Sequence, residues 1–156
     1  MNYKKAYSDI ISEILKRWTD GGRLVTYDEM DGTDYIAVTT TGTYAYIFSK
    51  RRFLIDKSTM IPTTAISKAY ERRNLAKILT WTGVVKQNKK AMVIELKSDD
   101  GNTVLLNEKV VKLFGKPSDL IFMTEGHLTP VFVYEKDFFI GIIMPVIAEV
   151  KNDENH

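Results

Sequence analysis

The chain has no cysteine and only two histidines among its 156 residues. The first absence excludes disulfide scaffolds, cysteine-rich zinc modules and thiol nucleophiles, and it suits a reducing cytoplasm. The histidines, His127 and His156, stand at no metal-ligand spacing such as HExxH. A serine triad would have to use His127, which sits in the turn-like stretch Glu125-Gly126-His127-Leu128-Thr129, and no G-x-S-x-G accompanies it. Walker A and G-x-G-x-x-G loops are missing as well, which removes the usual phosphate cradles. The longest apolar run, Phe138 to Ala148, falls far short of the roughly 20 residues that span a bilayer. Asp9 and Glu13 interrupt what would have to be the apolar core of a signal peptide. The expectation left standing is a cytoplasmic protein without membrane contact, not an enzyme, with no cofactor and no bound metal.

What is present is enough for a core. Apolar residues make up 44% of the chain and charged residues 27%, the balance of a globular domain over 1–148 with a polar tail at 149–156. Ala6, Ile10, Ile11, Ile14, Leu15 and Trp18 recur at spacings of three and four, which predicts an amphipathic helix from Tyr3 to Trp18, stopped by Gly21-Gly22. The period then becomes two. Tyr35–Thr39 and Tyr44–Phe48, split by Thr41-Gly42, read as a hairpin; Val25–Tyr27 pairs with it, and Phe53–Ile55 reads as a further short strand. Pro62 and Thr63-Thr64 indicate a loop, with a short helix at Ala65 to Arg73.

The second half repeats the style. Ile78–Lys86, Ala91–Lys97 and Thr103–Leu106 predict a three-stranded meander, Asn107 an N-cap, and Glu108–Phe114 a short helix closed by Gly115. Strands follow at Leu120–Thr124, Val131–Lys136 and Phe138–Met144, the last apolar on both faces and therefore central. A helix followed by antiparallel strands thus occurs twice, in Tyr3–Phe48 and Glu108–Met144. The fold class expected is α+β, an extensive antiparallel sheet with two main helices. Halves 1–56 and 75–148 would be joined by a basic connector, 57–74.

Net charge is only +2, but its distribution is uneven. Residues 50–90 hold eleven cations (Lys50, Arg51, Arg52, Lys57, Lys68, Arg72, Arg73, Lys77, Lys86, Lys89, Lys90) against Asp56 and Glu71. That is +9, with −7 left for everything else. Such asymmetry attracts polyanions, and phosphate contacts by Lys and Arg supply most non-specific nucleic-acid affinity. Lys50, Arg51, Arg52, Lys68, Arg72, Arg73, Lys77, Lys89 and Lys90 are the candidate nucleic-acid contacts, DNA ahead of RNA. Tyr70 and Trp81 lie close to them in sequence and either stack on bases or pack in the core, the core being the first expectation.

Asp28, Glu29, Asp31 and Asp34 cluster just before this block. Carboxylates so close can hold Mg²⁺, and a metal beside a basic groove would suit a nuclease. Their spacing matches no EF-hand loop, and Asp31-Gly32 is a turn former, so the stretch reads as a turn. The same four residues carry the alternative function: a small inhibitor docked on a host nucleic-acid-binding or defence protein, its acids imitating phosphate. A third reading is a self-assembling structural protein, a homo-oligomer joined by edge strands and the Phe138–Met144 run.

Val104-Leu105-Leu106-Asn107, the helix Glu108–Phe114, Leu120–Thr124, Pro130-Val131-Phe132-Val133 and Gly141-Ile142-Ile143-Met144-Pro145 run as strand, helix and three strands. This order resembles the βαβββ repeat of DNA sliding clamps. The ending is similar to the closing strands of the bacterial clamp, where a strand after a proline is followed by one ending in Met-Pro. The first half looks like a second copy lacking its leading strand, and the chain is also similar to small proteins of phages and other mobile elements of low-GC bacteria. The resemblance implies a clamp-like domain whose helices face DNA, with Lys4, Lys16, Arg17, Lys109, Lys112 and Lys116 as further contacts.

Overall fold

The structure is a computed structural model and describes residues 1–147; the tail expected at 149–156 lies outside the described residues. The first helix, α1 (Tyr3–Asp20), begins where the Asn2 side chain accepts the Lys5 N–H at 3.2 Å and ends at Gly21. Gly21 takes the left-handed conformation (φ 69°), and the N–H groups of Gly21 and Gly22 return to Arg17 O and Lys16 O. That left-handed conformation favours glycine because a side chain there is strained against its own backbone, although the space around it is open.

Three antiparallel strands follow: β1 (Thr26–Asp28), β2 (Tyr35–Thr41) and β3 (Tyr44–Ser49). Then come β4 (Ile61–Pro62) and helix α2 (Ala65–Glu71). A long hairpin, β5 (Lys77–Asn88) and β6 (Ala91–Ser98), leads through β7 (Thr103–Asn107) into α3 (Glu108–Phe114). The chain closes with β8 (Ile121–Thr124), β9 (Val131–Glu135) and β10 (Phe138–Ile143). Asn107 caps α3, its side chain accepting the Lys109 N–H at 2.9 Å. Among the described residues these make an α+β fold of three α-helices and one ten-stranded sheet in the order β4-β1-β2-β3-β10-β9-β8-β5-β6-β7. Every pairing within it is antiparallel except β1 with β4.

A three-strand meander flanks each side of the β3/β10 junction, with β4 beyond one and β5, β6 and β7 beyond the other. On one side lie β3, β2 and β1, on the other β10, β9 and β8, and each meander is preceded by a helix. Alternation along the strands then sorts side chains between two cores. Ile36, Val38, Tyr46, Phe48, Val131, Val133 and Ile140 face α1 and α3 on one side of the sheet. Ala37, Ala45, Ile47, Phe132, Phe139 and Ile142 face the other side, where Ile66 and Tyr70 of α2 cover them. The segment 57–74 is therefore more than a connector, since it supplies an edge strand and the helix that closes the second face.

Two expectations are corrected. Phe53–Ile55 forms no strand, because both sides of β3 are already occupied by β2 and β10 and no neighbouring position is open. Phe53 packs instead against Phe48 and Tyr7, and the paired edge position falls to Ile61–Pro62 beside β1. The Phe138–Met144 run, considered as a subunit contact, lies inside the sheet as β10 between β3 and β9, buried from Phe139 to Ile143. At its middle a Cβ on Gly141 would stand 2.1 Å from the Phe114 ring. The missing side chain is what lets α3 rest directly on β10.

Candidate nucleic-acid interface

The tight turn after β3 places three cations together. Lys50 N–H donates to Asp34 O at 2.7 Å and Arg52 N–H to Ser49 O at 3.1 Å, which folds Lys50-Arg51-Arg52 back over the end of the sheet. The Lys50 ammonium reaches Met30 O at 3.4 Å. Arg51 and Arg52 are exposed and hold no ion pair among the described residues. They stand at a cavity of about 750 Å³ whose wall is largely aromatic: Tyr3 and Tyr7 from α1, Tyr35 from β2, Phe48 from β3 and Phe138 from β10. Asp34 and Glu135 also line it, and Glu135 is paired with the Met1 amino group at 2.9 Å.

From this cavity an aromatic seam runs to α2. Tyr35 meets Tyr70 with ring centroids 6.1 Å apart, Tyr70 stacks on Phe139 at 5.0 Å, and the Arg73 guanidinium lies 4.3 Å from the Tyr70 centroid. Burial pushes the hydroxyls of Tyr35 and Tyr134 above the ordinary tyrosine range. Beyond the seam lies a second cleft, of about 680 Å³, bordered by Lys68 and Arg73 and by Asp28, Glu29, Asp31 and Glu71.

The basic block is thus divided by the fold. Arg51 and Arg52 line the first cleft, Lys68 and Arg73 the second, and Lys50 reaches Met30 O, which borders the second. Arg72 is paired with Glu125 through a two-pronged contact, which raises the Arg72 pKa and lowers that of Glu125. Lys77 pairs with Asp100 and Lys86 with Glu95, and the hydrogen bond from Lys86 lowers the Glu95 pKa. Lys89 and Lys90 form the turn between β5 and β6, at the tip of the long hairpin. Of the helix cations, Lys16 is paired with Glu13 and Lys112 with Glu108, whereas Lys4, Arg17, Lys109 and Lys116 hold no ion pair among the described residues.

The acidic stretch is divided too. Asp28 is 2% exposed and accepts hydrogen bonds from Met30 N–H (2.9 Å), Ser67 N–H (2.7 Å) and Ser67 Oγ (2.5 Å). Thr64 gives α2 no side-chain cap, so a carboxylate 39 residues upstream satisfies its first turn instead. Glu29 is held by Lys57, whose hydrogen bond lowers the Glu29 pKa. Only Asp31 and Asp34 of the four remain exposed without an ion pair among the described residues. No group of three or more His, Asp or Glu that could hold a metal occurs among the described residues.

Tyr70 is partly buried and packs on the second core beneath its cation, and Trp81 packs against the α1/α3 core with its indole N–H buried and unbonded among the described residues. Sequence reasoning missed the exposed aromatics that line the first cavity, Tyr3 and Phe138. The signal for Phe138 was its place directly after the Lys136-Asp137 turn, where an alternating strand sends its first side chain opposite to the buried Phe139. No helix among the described residues is long and apolar enough to cross a membrane. No family model matches this chain, and no curated protein or solved structure matches it either.

Proposed function

We propose that this protein binds nucleic acid as an accessory factor without transforming it, holding the phosphate backbone on Lys50, Arg51 and Arg52. One observation carries the reading: Arg51 and Arg52 stay exposed and unpaired among the described residues while Arg72, Lys77 and Lys86 are held in ion pairs. Guanidinium groups make bidentate contacts to phosphate, and two beside each other match consecutive phosphates better than a lone lysine does. Lys68 and Arg73 border a separate cleft that also holds Asp28, Glu29, Asp31 and Glu71, so the backbone contact rests on Lys50, Arg51 and Arg52.

The test is binding of a labelled duplex and a labelled single strand at about 50 and 200 mM salt. Each neutralised phosphate contributes roughly 0.7–0.9 to the slope of log K against log salt. Arg51→Glu/Arg52→Glu is expected to lower that slope by about 2 and to abolish binding at the higher salt. Lys86→Glu, which removes a cation already paired with Glu95, is expected to change little. A wild-type protein that binds neither strand form at the lower salt ends this reading.

A further inference from the structure

We infer that the cavity at Arg51 and Arg52 takes an unpaired base, which makes single-stranded nucleic acid the preferred ligand; this rests on the proposed function above. Two aromatic side chains at the cavity are turned to solvent, Tyr3 at 51% exposure and Phe138 at 69%. Phe138 is held outward by its strand, because Phe139, the next residue, is buried against Tyr35, Tyr70 and Tyr134. The cavity wall behind them is aromatic, and its volume of about 750 Å³ is ample for a nucleobase with its sugar.

The charges select an anionic ligand. Arg51 and Arg52 face one uncompensated carboxylate, Asp34, since Glu135 is neutralised by the Met1 amino group. A planar ring that arrives attached to a phosphate meets both features at once. A base in a duplex keeps both faces inside the stack and cannot offer one to Phe138, whereas a single strand can splay a base out at little cost. Stacking uses the π-face common to all bases, so the preference is for strand form and not for sequence.

The experiment measures affinity for one labelled 12-nucleotide strand and for its duplex at about 100 mM salt, with a 2-aminopurine placed mid-strand as a stacking reporter. The variants are Phe138→Ala, Phe138→Tyr, and Arg51→Glu/Arg52→Glu. The expected result is tighter binding to the single strand and quenching of 2-aminopurine on binding. Phe138→Ala should weaken the single strand at least about fivefold and the duplex hardly at all, with the salt slope kept. Phe138→Tyr should restore both affinity and quenching. If Phe138→Ala leaves single-strand affinity and quenching unchanged while Arg51→Glu/Arg52→Glu abolishes binding, the base pocket is overturned and the backbone reading stands. If the wild type binds neither form, both fall together.

Discussion

Single side chains set the tolerance of this fold at two places, and each makes a prediction. Gly141 is one. With a Cβ 2.1 Å from the Phe114 ring, neither partner can yield cheaply, because the ring is fully buried and the strand is paired on both sides. Gly141→Ala is expected to cost about 3 kcal/mol in urea unfolding, the upper end for overpacking, and Phe114→Leu in the same chain should recover part of it. Additive losses in the double variant would sink the argument. The Asp9 carboxylate is the other place, accepting hydrogen bonds from Tyr44 Oη at 2.9 Å and Tyr46 Oη at 2.8 Å and so tying α1 to β3. Burial, then the bond to Asp9, pushes the Tyr46 hydroxyl well above its ordinary value of 10.0, and Tyr44 moves the same way. A raised native pKa means the folded state keeps its protons longer than the unfolded one. The stabilisation is therefore complete below about pH 10 and lost as pH rises above it. Stability measured by urea at pH 8 and pH 11 should fall steeply for the wild type and less steeply for Tyr46→Phe. Equal slopes would remove Tyr46 as the cause.

At the scale of elements, the short helix α2 is the informative case. Seven residues cannot sustain a helix alone, and α2 holds its place through Tyr70 on the aromatic core and through Asp28 at its first turn. Asp28→Ala leaves the Ser67 and Met30 N–H groups without their acceptor, a loss of about 1–3 kcal/mol. Hydrogen exchange should show that loss as reduced protection across 66–71, while α1 and α3 keep theirs. Uniform loss across all three helices would mean that α2 does not open separately. This element also shows where the sequence was legible. Helix α1, the β2–β3 hairpin, the capped α3 and the central position of β10 all follow from local period, caps and turn residues, which act within a few positions. The roles of Asp28, Arg72, Lys77 and Lys86 depend on partners between 9 and 53 residues away, and no local pattern encodes those. Hence the basic block was visible as composition, whereas its division into a free Arg51-Arg52 pair and a set of ion-paired cations came only from the fold. Phe53–Ile55 failed for a kindred reason: it has strand composition but no open edge beside β3.

For the whole molecule, the decisive seam is the β3/β10 pairing. Gly141, Ile142 and Ile143 pair with Tyr46, Ala45 and Tyr44, joining the helix-plus-strands unit of the first half to that of the second. Across the same seam Phe114 of α3 packs on Tyr46 of β3 at 5.6 Å between centroids, so the core under α1 and the core under α3 are one. Cutting the chain between 74 and 75 would leave β3 and β10 as bare apolar edges and open that core along its length. An edge that is apolar on both faces has no favourable solvent-exposed state. The fragments 1–74 and 75–156 are therefore expected to be largely unfolded or aggregated when separate, and to recover far-UV circular dichroism and a cooperative melt when mixed in equal amounts. The midpoint of that melt should rise with fragment concentration, because association and folding are then one step. A fragment that melts cooperatively by itself would show that the halves are independent units placed side by side. The binding surface provides a second readout of the same coupling. Arg51, Arg52 and Tyr3 belong to the first fragment and Phe138 to the second, so neither fragment alone contains the complete cavity, and the mixture alone should quench a stacked 2-aminopurine.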